Sequence, residues 1–429
     1  MTFEKPKLFT TPREFFWVMA ALLLVIVFRL GWDYRAYRTF VRLPFYYAHA
    51  TVVHAYPKIR NGRQYTVLKM RSDAGKTLYT TTTRKTDLQD AYLYLQLFPS
   101  ARITFGDYLG GMYCKSRIKR IAPPQPTLRM RLGAWIAQQH HDPAMQALYR
   151  AIFLASPIPK TLRTRIASLG VSHLVALSGF HLGILWAVLY GALVLGYRPI
   201  QQRYFPYRYA LRDVGGVVML LLGYYLWLTG SPPSLLRSYT MVLLGWGVVL
   251  MGIELVSFAM LVTIALLLIA LFPPLVVSLG FWLSIAGVFY IFLTTSYCQD
   301  ADTYLVSLVC IPWGIFLLMQ PLVHGVFGLT TPWQLLSPLL SVAFILFYPL
   351  SFVLHLIGQG HVLDGSLMYL FDLPKTHTEH LLPLWSIFLY IILSLAATRK
   401  RWIFYLLLAA AGGYMVYLFV PYMSVLAPR

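Results

Sequence analysis

Apolar residues in this chain gather into blocks of roughly 15 to 25 positions, the length that a helix needs to cross a bilayer. Nine such blocks lie near 172–196, 213–229, 234–251, 255–272, 276–294, 303–323, 333–357, 384–397 and 402–420, and a leading block lies at 15–30. About ten hydrophobic segments, some of them re-entrant, predict a polytopic α-helical membrane protein. The stretch 44–122 breaks this pattern, with no apolar block of membrane length. There β-branched and aromatic residues recur with period two at 47–53, 65–70, 77–82, 101–105 and 112–116, which predicts strands. A helix expected at 87–97, between the third and fourth strands, gives the order of an OB-like small β-barrel, a soluble domain type that often binds nucleic acid. Between 123 and 170, helically spaced apolar residues (Leu128, Leu132, Trp135, Ile136; Met145, Leu148, Ile152, Phe153) predict amphipathic helices at the membrane face or against the channel. The expected layout is an anchor and link at 1–43, the OB-like domain at 44–122, amphipathic helices at 123–170 and a polytopic domain at 171–429.

Composition sharpens this picture. The 429 residues are 58% hydrophobic and 12% charged, with a mean hydropathy of +0.62, which excludes a soluble globular protein. Lys and Arg number 36 against 15 Asp and Glu, a net charge of +21. Short cytoplasmic loops of membrane proteins are enriched in basic residues, and that explains part of the excess. A polyanionic ligand is the sharper explanation for the dense share near the N-terminus. Cys114, Cys298 and Cys310 are too few and scattered for a disulfide framework or metal cluster. Arg29 interrupts the end of the leading block, and Trp32 and Tyr34 follow it in place of a small-residue cleavage site. The block therefore reads as a retained anchor.

The most basic short connections carry Arg198, Arg203, Arg208 and Arg212, and Arg399, Lys400 and Arg401. Both are expected on the cytoplasmic side, yet seven segments separate them, and an odd number cannot return the chain to one face. One segment is then not a full crossing. The prolines of Ser231-Pro-Pro-Ser point to that place, since irregular backbone at membrane depth is tolerated only where it lines protein or water.

Two polar constellations interrupt the apolar blocks. The first is His173-Leu-Val-Ala-Leu-Ser-Gly-Phe-His-Leu-Gly, containing His173, Ser178, Gly179, His181 and Gly183. Read as one helix, Ser178 and His181 are neighbours, while Gly179 and Gly183 permit close helix approach. Satisfied packing residues, a transport path and a serine hydrolase are all open readings. The hydrolase lacks a nearby carboxylate and the Gly-x-Ser-x-Gly elbow. The second is Ser231-Pro-Pro-Ser-Leu-Leu-Arg-Ser238, with Pro233 and Arg237. Arg237 either snorkels to the interface or offers a fixed positive charge to an aqueous groove.

These segments resemble the His-Leu-(Leu/Val)-Ala-(Ile/Leu)-Ser-Gly-(Leu/Phe)-His and Pro-Ser-x-x-Arg motifs of the ComEC-type competence proteins, which form the inner-membrane route for transforming DNA. Leu154-Ala-Ser-Pro-Ile-Pro-Lys, Phe281-Trp-Leu-Ser-Ile-Ala-Gly and Leu335-Leu-Ser-Pro-Leu-Leu extend the resemblance over 154–340. Gly287 stands where the family usually has alanine. The resemblance implies passage of single-stranded DNA through the bacterial inner membrane, with the OB-like domain on the periplasmic side. It places His173, Ser178, Gly179, His181, Gly183, Ser231, Pro233 and Arg237 along the path. A transporter for a small or lipid-linked solute and an intramembrane serine hydrolase are the alternatives.

In the OB-like stretch, Lys58, Arg60, Arg63, Lys69, Arg71, Lys76, Arg84 and Lys85 face the single acid Asp73, with Tyr65 and Tyr79 interleaved; Lys115, Arg117, Lys119 and Arg120 follow. Positive charge interleaved with rings suits sequence-tolerant single-strand binding. The bland reading is a solvated basic domain, or one resting on anionic lipid. The expected DNA-contacting residues are Arg60, Arg63, Tyr65, Lys69, Arg71, Lys76, Tyr79, Arg84, Lys85, Lys115, Arg117 and Lys119. The metal-binding His-x-His-x-Asp-His run found in many family members is absent, as is a nucleotide-binding phosphate loop. His140-His-Asp is a lone cluster. The expectation is a non-enzyme, of a short form without the metallo-β-lactamase-like domain, needing no cofactor or metal. Its expected partners are single-stranded DNA, membrane lipid, a separate periplasmic DNA receptor, a nuclease or other strand-separating factor, a cytoplasmic motor and, in a homo-oligomer, further copies of itself.

Overall fold

The structure, a computed structural model, describes residues 8–60, 62–84, 88–123, 127–253, 257–298, 301–373 and 378–426. The chain divides into two units: Phe9–Thr127 with Val262–Phe281, and Leu128–Leu261 with Trp282–Arg429 and Met1–Leu8.

The first unit opens with α1 (Pro12–Arg42). Thr11 caps it, its Oγ1 accepting from the Glu14 N–H at 3.3 Å while the Glu14 carboxylate reaches back to the Thr11 N–H. Six strands and one short helix follow: β1 (Tyr46–Arg60), β2 (Arg63–Ser72), β3 (Thr77–Thr82), β4 (Tyr92–Phe98), α2 (Phe105–Gly110), β5 (Met112–Tyr113) and β6 (Lys115–Ala122). They form one mixed sheet in the order β5-β3-β2-β1-β4-β6, with only the β3–β5 pair parallel. It is not a closed barrel, so the expected OB-like barrel is not confirmed.

Two expected elements are corrected. The helix expected at 87–97 is strand β4 over its described part. Leu93, Leu95 and Leu97 are buried while Tyr92 and Phe98 are exposed, a period of two that the run of leucines disguises. The strand expected at 101–105 is a turn leading into α2, and Thr104 and Asp107 form the capping box that starts this helix. The helix therefore lies between the fourth and fifth strands, not between the third and fourth.

The inner face of the sheet buries Ala50, Val52, Leu68, Met70, Leu78 and the three β4 leucines in one core. Leu68→Ala is expected to cost about 2–5 kcal/mol, because a wholly buried side chain leaves a cavity that the sheet cannot fill. Hydrogen exchange on the full chain checks this. Unchanged protection of the β1–β2 amides would show that Leu68 does not hold the sheet.

The second unit is helical. It contains α3 (Leu128–Ala137), α4 (Pro143–Leu154), α5 (Lys160–Ser168), α6 (Ser172–Val175), α7 (Gly179–Tyr204), α8 (Ala210–Leu228) and α9 (Pro233–Leu250). The later helices are α10 (Phe258–Leu271, running on into the first unit), α11 (Leu279–Tyr297), α12 (Thr303–Leu305), α13 (Ile311–His324), α14 (Ser337–Leu356), α15 (Asp364–Asp372), α16 (Leu384–Ala397) and α17 (Arg401–Leu426). A π-helical turn, Val306–Cys310, joins α12 to α13, and a 3₁₀ turn, Pro332–Leu336, leads into α14. The two-residue strands β7 (Leu329–Thr330) and β8 (Thr378–Glu379) pair antiparallel.

Among the described residues, eight helices are long and apolar enough to cross a membrane, and α10 and α16, of 14 residues each, are apolar but shorter. This is a multi-pass membrane protein. The irregular crossing expected around Ser231–Ser234 is corrected: Pro233 opens α9, an unbroken helix of 18 residues. The irregularity is confined to the α8–α9 turn, where Gly230 (φ 78°) and Ser231 (φ 50°) are left-handed. The helices that fall short of a bilayer are α10 and α16. Of the helices expected over 123–170, α4 faces inward. It buries Met145, Leu148, Tyr149, Ala151, Ile152, Phe153 and Leu154 in a core shared with Phe344 and Tyr348 of α14.

Candidate functional site

The polar motif expected inside one helix lies at a break between two. The short helix α6 ends at Val175, Ala176 turns extended, and Ser178 becomes the extended residue before α7. Ser178 donates its backbone N–H to His181 Nδ1 at 3.3 Å, and its Oγ lies 3.3 Å from the same nitrogen. His181 thus takes the place that a glutamate fills in an ordinary capping box. Nδ1 accepts, so Nε2 carries the hydrogen; it is buried with no hydrogen-bond partner among the described residues. The ring packs edge-on against Phe344 and Tyr348, each 5.1 Å away between centroids.

The break lies beside the middle of α14. His173 Nε2 is 3.1 Å from Ser341 Oγ. Ahead of it, Thr331 donates to the Ser168 carbonyl and Ser337 to the Gly170 carbonyl, the latter at 3.1 Å. The start of the 25-residue stretch Pro332–Leu356 therefore holds α5, and its middle holds the break. The Ser168 and Gly170 carbonyls at the end of α5 are satisfied in this way, while at the break itself the Ser178 N–H is met by His181.

The second motif meets the first. A Cβ on Gly179 would lie 3.5 Å from Ser238 Oγ, so the first turn of α7 packs on the first turns of α9. Pro233 is the first residue of α9, and Arg237 follows one turn later. Arg237 is half-buried, and its Nε is buried with no hydrogen-bond partner among the described residues. A guanidinium removed from water without a counter-charge is costly, and such a group marks a place where an anion or water belongs. The N-terminal ends of α7 and α9 add their partial positive charge there.

The structure packs Gly179 on Ser238, the residue after Arg237, and sets Ser178 and His181 at the start of the same helix, with His173 tied to α14. Two depart from their expected roles. Gly183 has nothing within 4 Å of its Cβ position and makes no close helix approach. Ser231 serves the turn, its N–H donating to the Leu226 carbonyl at 2.9 Å. Sequence reasoning missed Ser341, Phe344 and Tyr348, which lie in apolar blocks where nothing in the spacing marks them, and gave no role to Ser238 at the end of the second motif. No described carboxylate reaches His181, which weakens the hydrolase reading.

The sheet carries a second candidate site. A polar groove of ≈ 340 Å³ is lined by Tyr65, Thr81, Thr82, Thr83, Arg84, Ser116, Arg117 and Ile118. Three expected residues, Tyr65, Arg84 and Arg117, share it. Lys115 and Lys119 alternate with Arg117 along β6 and are exposed. Arg71 is also exposed, while Lys69 sits 6.0 Å from the Tyr79 ring centroid, directly across the β2–β3 pair. Lys76 is committed elsewhere: it pairs with Asp33 at 3.6 Å and lies over the Tyr108 ring at 4.2 Å. Lys85 and the side chains of Arg60 and Arg63 lie outside the described residues.

A ring ladder on the outer face was not foreseen. His49 stacks between Tyr94 at 4.6 Å and Tyr92 at 5.4 Å, and Tyr94 also stacks on Tyr47 at 5.5 Å. Cross-strand pairing puts Arg120 opposite Tyr94, Arg117 opposite Gln96, and Arg71 opposite Thr51. Arginines thus flank the ladder on both sides. The signal was legible in the alternation of Tyr47 with His49 and of Tyr92 with Tyr94, had β4 been read as a strand. Among the described residues no group of three or more His, Cys, Asp or Glu is placed to hold a metal ion.

A broken helix with a family-type motif at its cap, packed on a second motif with a half-buried arginine, invites comparison with known families. The family model for the competence protein matches residues 155–423. The chain belongs to the competence protein family. The uncharacterized protein YcaI of Escherichia coli (strain K12) is similar, 26% identical over 229 residues. That match covers 50% of this chain and 29% of the relative's length. No solved structure matches. The family assignment supports a role in competence and DNA uptake, and the family model covers both motif segments at the α7–α9 seam.

Proposed function

We propose that this competence-family protein conducts single-stranded DNA across the bacterial inner membrane during natural transformation. The observation that carries the reading is Arg237, a half-buried side chain in the second motif segment whose buried Nε has no hydrogen-bond partner among the described residues. A DNA phosphate supplies the missing partner, and it does so whatever the base sequence. His181, whose ring packs on Phe344 and Tyr348 at the start of α7, offers a second donor. The mixed sheet, on the periplasmic side in this reading, collects the strand. Its ring ladder gives bases a stacking surface, and Arg71, Arg84, Arg117 and Arg120 follow the backbone. An OB-like barrel is part of the proposal. It is supported by β5 and β6, which only Cys114 separates and which pair with β3 and β4 respectively, and by the 2.8 Å contact between Thr80 Oγ1 and Ser116 Oγ. A periplasmic receptor, a strand-separating nuclease and a cytoplasmic motor complete the route.

The direct test is entry of a labelled single strand into vesicles carrying the full chain, scored by protection from external nuclease. Protected strand above that of empty vesicles is expected; equal protection rules out conduction by this chain alone. The sheet is tested separately by binding of the full chain to single-stranded DNA across a salt series. Log affinity is expected to fall linearly with log salt, and R84A and R117A should each lower the slope by about 0.7. Unaltered slopes in both variants would remove the groove from the contact surface, and an unchanged affinity in Y94A would remove the ladder.

A further inference from the structure

The loop between α3 and α4 carries His140 to the C-terminal end of α14. His140 Nδ1 lies 2.9 Å from the Asp364 carboxylate at the start of α15, and its Nε2 lies 3.0 Å from His355 Nε2. His355 Nδ1 is 2.7 Å from the Ser351 carbonyl one turn earlier. Both rings are buried, at 3% and 2% exposure, while the Asp364 side chain is 15% exposed and opens the cluster to solvent. Tyr149 of α4 stacks flat on His140 with centroids 4.4 Å apart. Gln139 closes the other side, donating to the His355 carbonyl at 3.2 Å and accepting from the Gly360 N–H at 2.9 Å. There is no slack: a Cβ on Gly360 would come within 2.8 Å of both Gln139 Oε1 and His355 Nε2.

Counting hydrogens identifies what holds the two rings together. A carbonyl only accepts, so His355 Nδ1 carries a hydrogen. A carboxylate also only accepts, so His140 Nδ1 carries one as well. Two neutral imidazoles would then point lone pairs at each other across 3.0 Å in a buried space, which leaves both acceptors unsatisfied. One further proton turns that contact into an Nε2–H···Nε2 hydrogen bond, and Asp364 balances its charge. Placing the proton on Asp364, with His140 in its other tautomer, gives the same total.

We propose that His140, His355 and Asp364 form a proton-binding site that holds one proton beyond the count for two neutral histidines and a carboxylate. The site latches the α3–α4 loop onto the end of α14, and the proton enters and leaves through Asp364. The titratable groups facing the pair are Asp364 from α15 and Tyr149 from α4. Burial first, and then the Asp364 charge, push the Tyr149 phenol up, so it does not supply the proton. Of the neighbours in sequence, His141 and His361 are exposed, and Asp142 is occupied capping α4, where it accepts from the Ala144 N–H at 2.6 Å. This inference stands apart from the DNA path and rests on none of its residues.

Histidine-selective nitrogen NMR on the full chain in micelles, with a chelator present, tests the site. One ring protonated on both nitrogens is expected in the folded wild type at neutral pH, and is expected to be lost in H355Q and D364N. Neutral rings throughout in the wild type overturn the proposal. So does a stabilisation that zinc restores and the chelator removes, since a metal ion would then occupy the gap. If either variant fails to fold, the wild-type spectrum alone still decides.

Discussion

Replacing Arg237 by glutamate is expected to lower transformation at least about a hundredfold in cells that depend on this chain. The wild-type side chain is half-buried, and its Nε is buried with no hydrogen-bond partner among the described residues. Reversing its sign places a carboxylate where the passing strand carries its own negative charge. Disrupting a buried charge interaction costs about 3–5 kcal/mol, and each 1.4 kcal/mol is about tenfold in rate. Arg237→Lys should keep part of the activity, since a point charge still meets a phosphate but loses the planar fork. Arg237→Gln should fall between lysine and glutamate. Membrane levels of each variant separate loss of function from loss of protein. Normal transformation by a normally inserted Arg237→Glu would remove this residue from the path.

The second large effect separates two glycines that the sequence treats alike. Gly179→Leu is expected to reduce transformation by about tenfold to a hundredfold. Its Cβ position already lies 3.5 Å from Ser238 Oγ, so a longer side chain must push the start of α7 from the start of α9. Overpacking of this kind costs about 1–3 kcal/mol. Gly183→Leu should be close to neutral, because nothing lies within 4 Å of its Cβ position. Equal loss in the two variants would show that the motif depends on helix flexibility and not on the α7–α9 seam.

The long apolar blocks were legible because a bilayer leaves helices little freedom in length or composition. The expected segments at 213–229, 234–251 and 384–397 fall on α8, α9 and α16. Strand β3 was legible to the residue, as Thr77–Thr82 lies between turn residues and alternates cleanly. Strand β4 was not, because Leu93, Leu95 and Leu97 suggest helix by propensity while only their period marks a strand. The break at Ala176–Ser178 was hidden for another reason. Its one polar residue, Ser178, meets His181 within α7, and the chain just before it is tied to α14, more than 160 positions away. The site shared this fate in part. Ser178, His181 and Arg237 stood out as polar groups in apolar surroundings. Their partners Ser238, Phe344 and Tyr348 are ordinary membrane residues until the fold brings them together. The lone His140 found its meaning only through Asp364, 224 positions downstream.

Helix α14 touches both the broken helix, through Ser341, Phe344 and Tyr348, and the buried histidine cluster, through His355. An α-helix turns by about 100° and rises about 1.5 Å for each residue. A slip of one residue would therefore carry every one of these side chains to a different face at once. Pro349 stands between Tyr348 and His355, and its missing N–H weakens the helix there. The packing against His181 and the latch at His355 therefore sit on opposite sides of Pro349, on two joined half-rods.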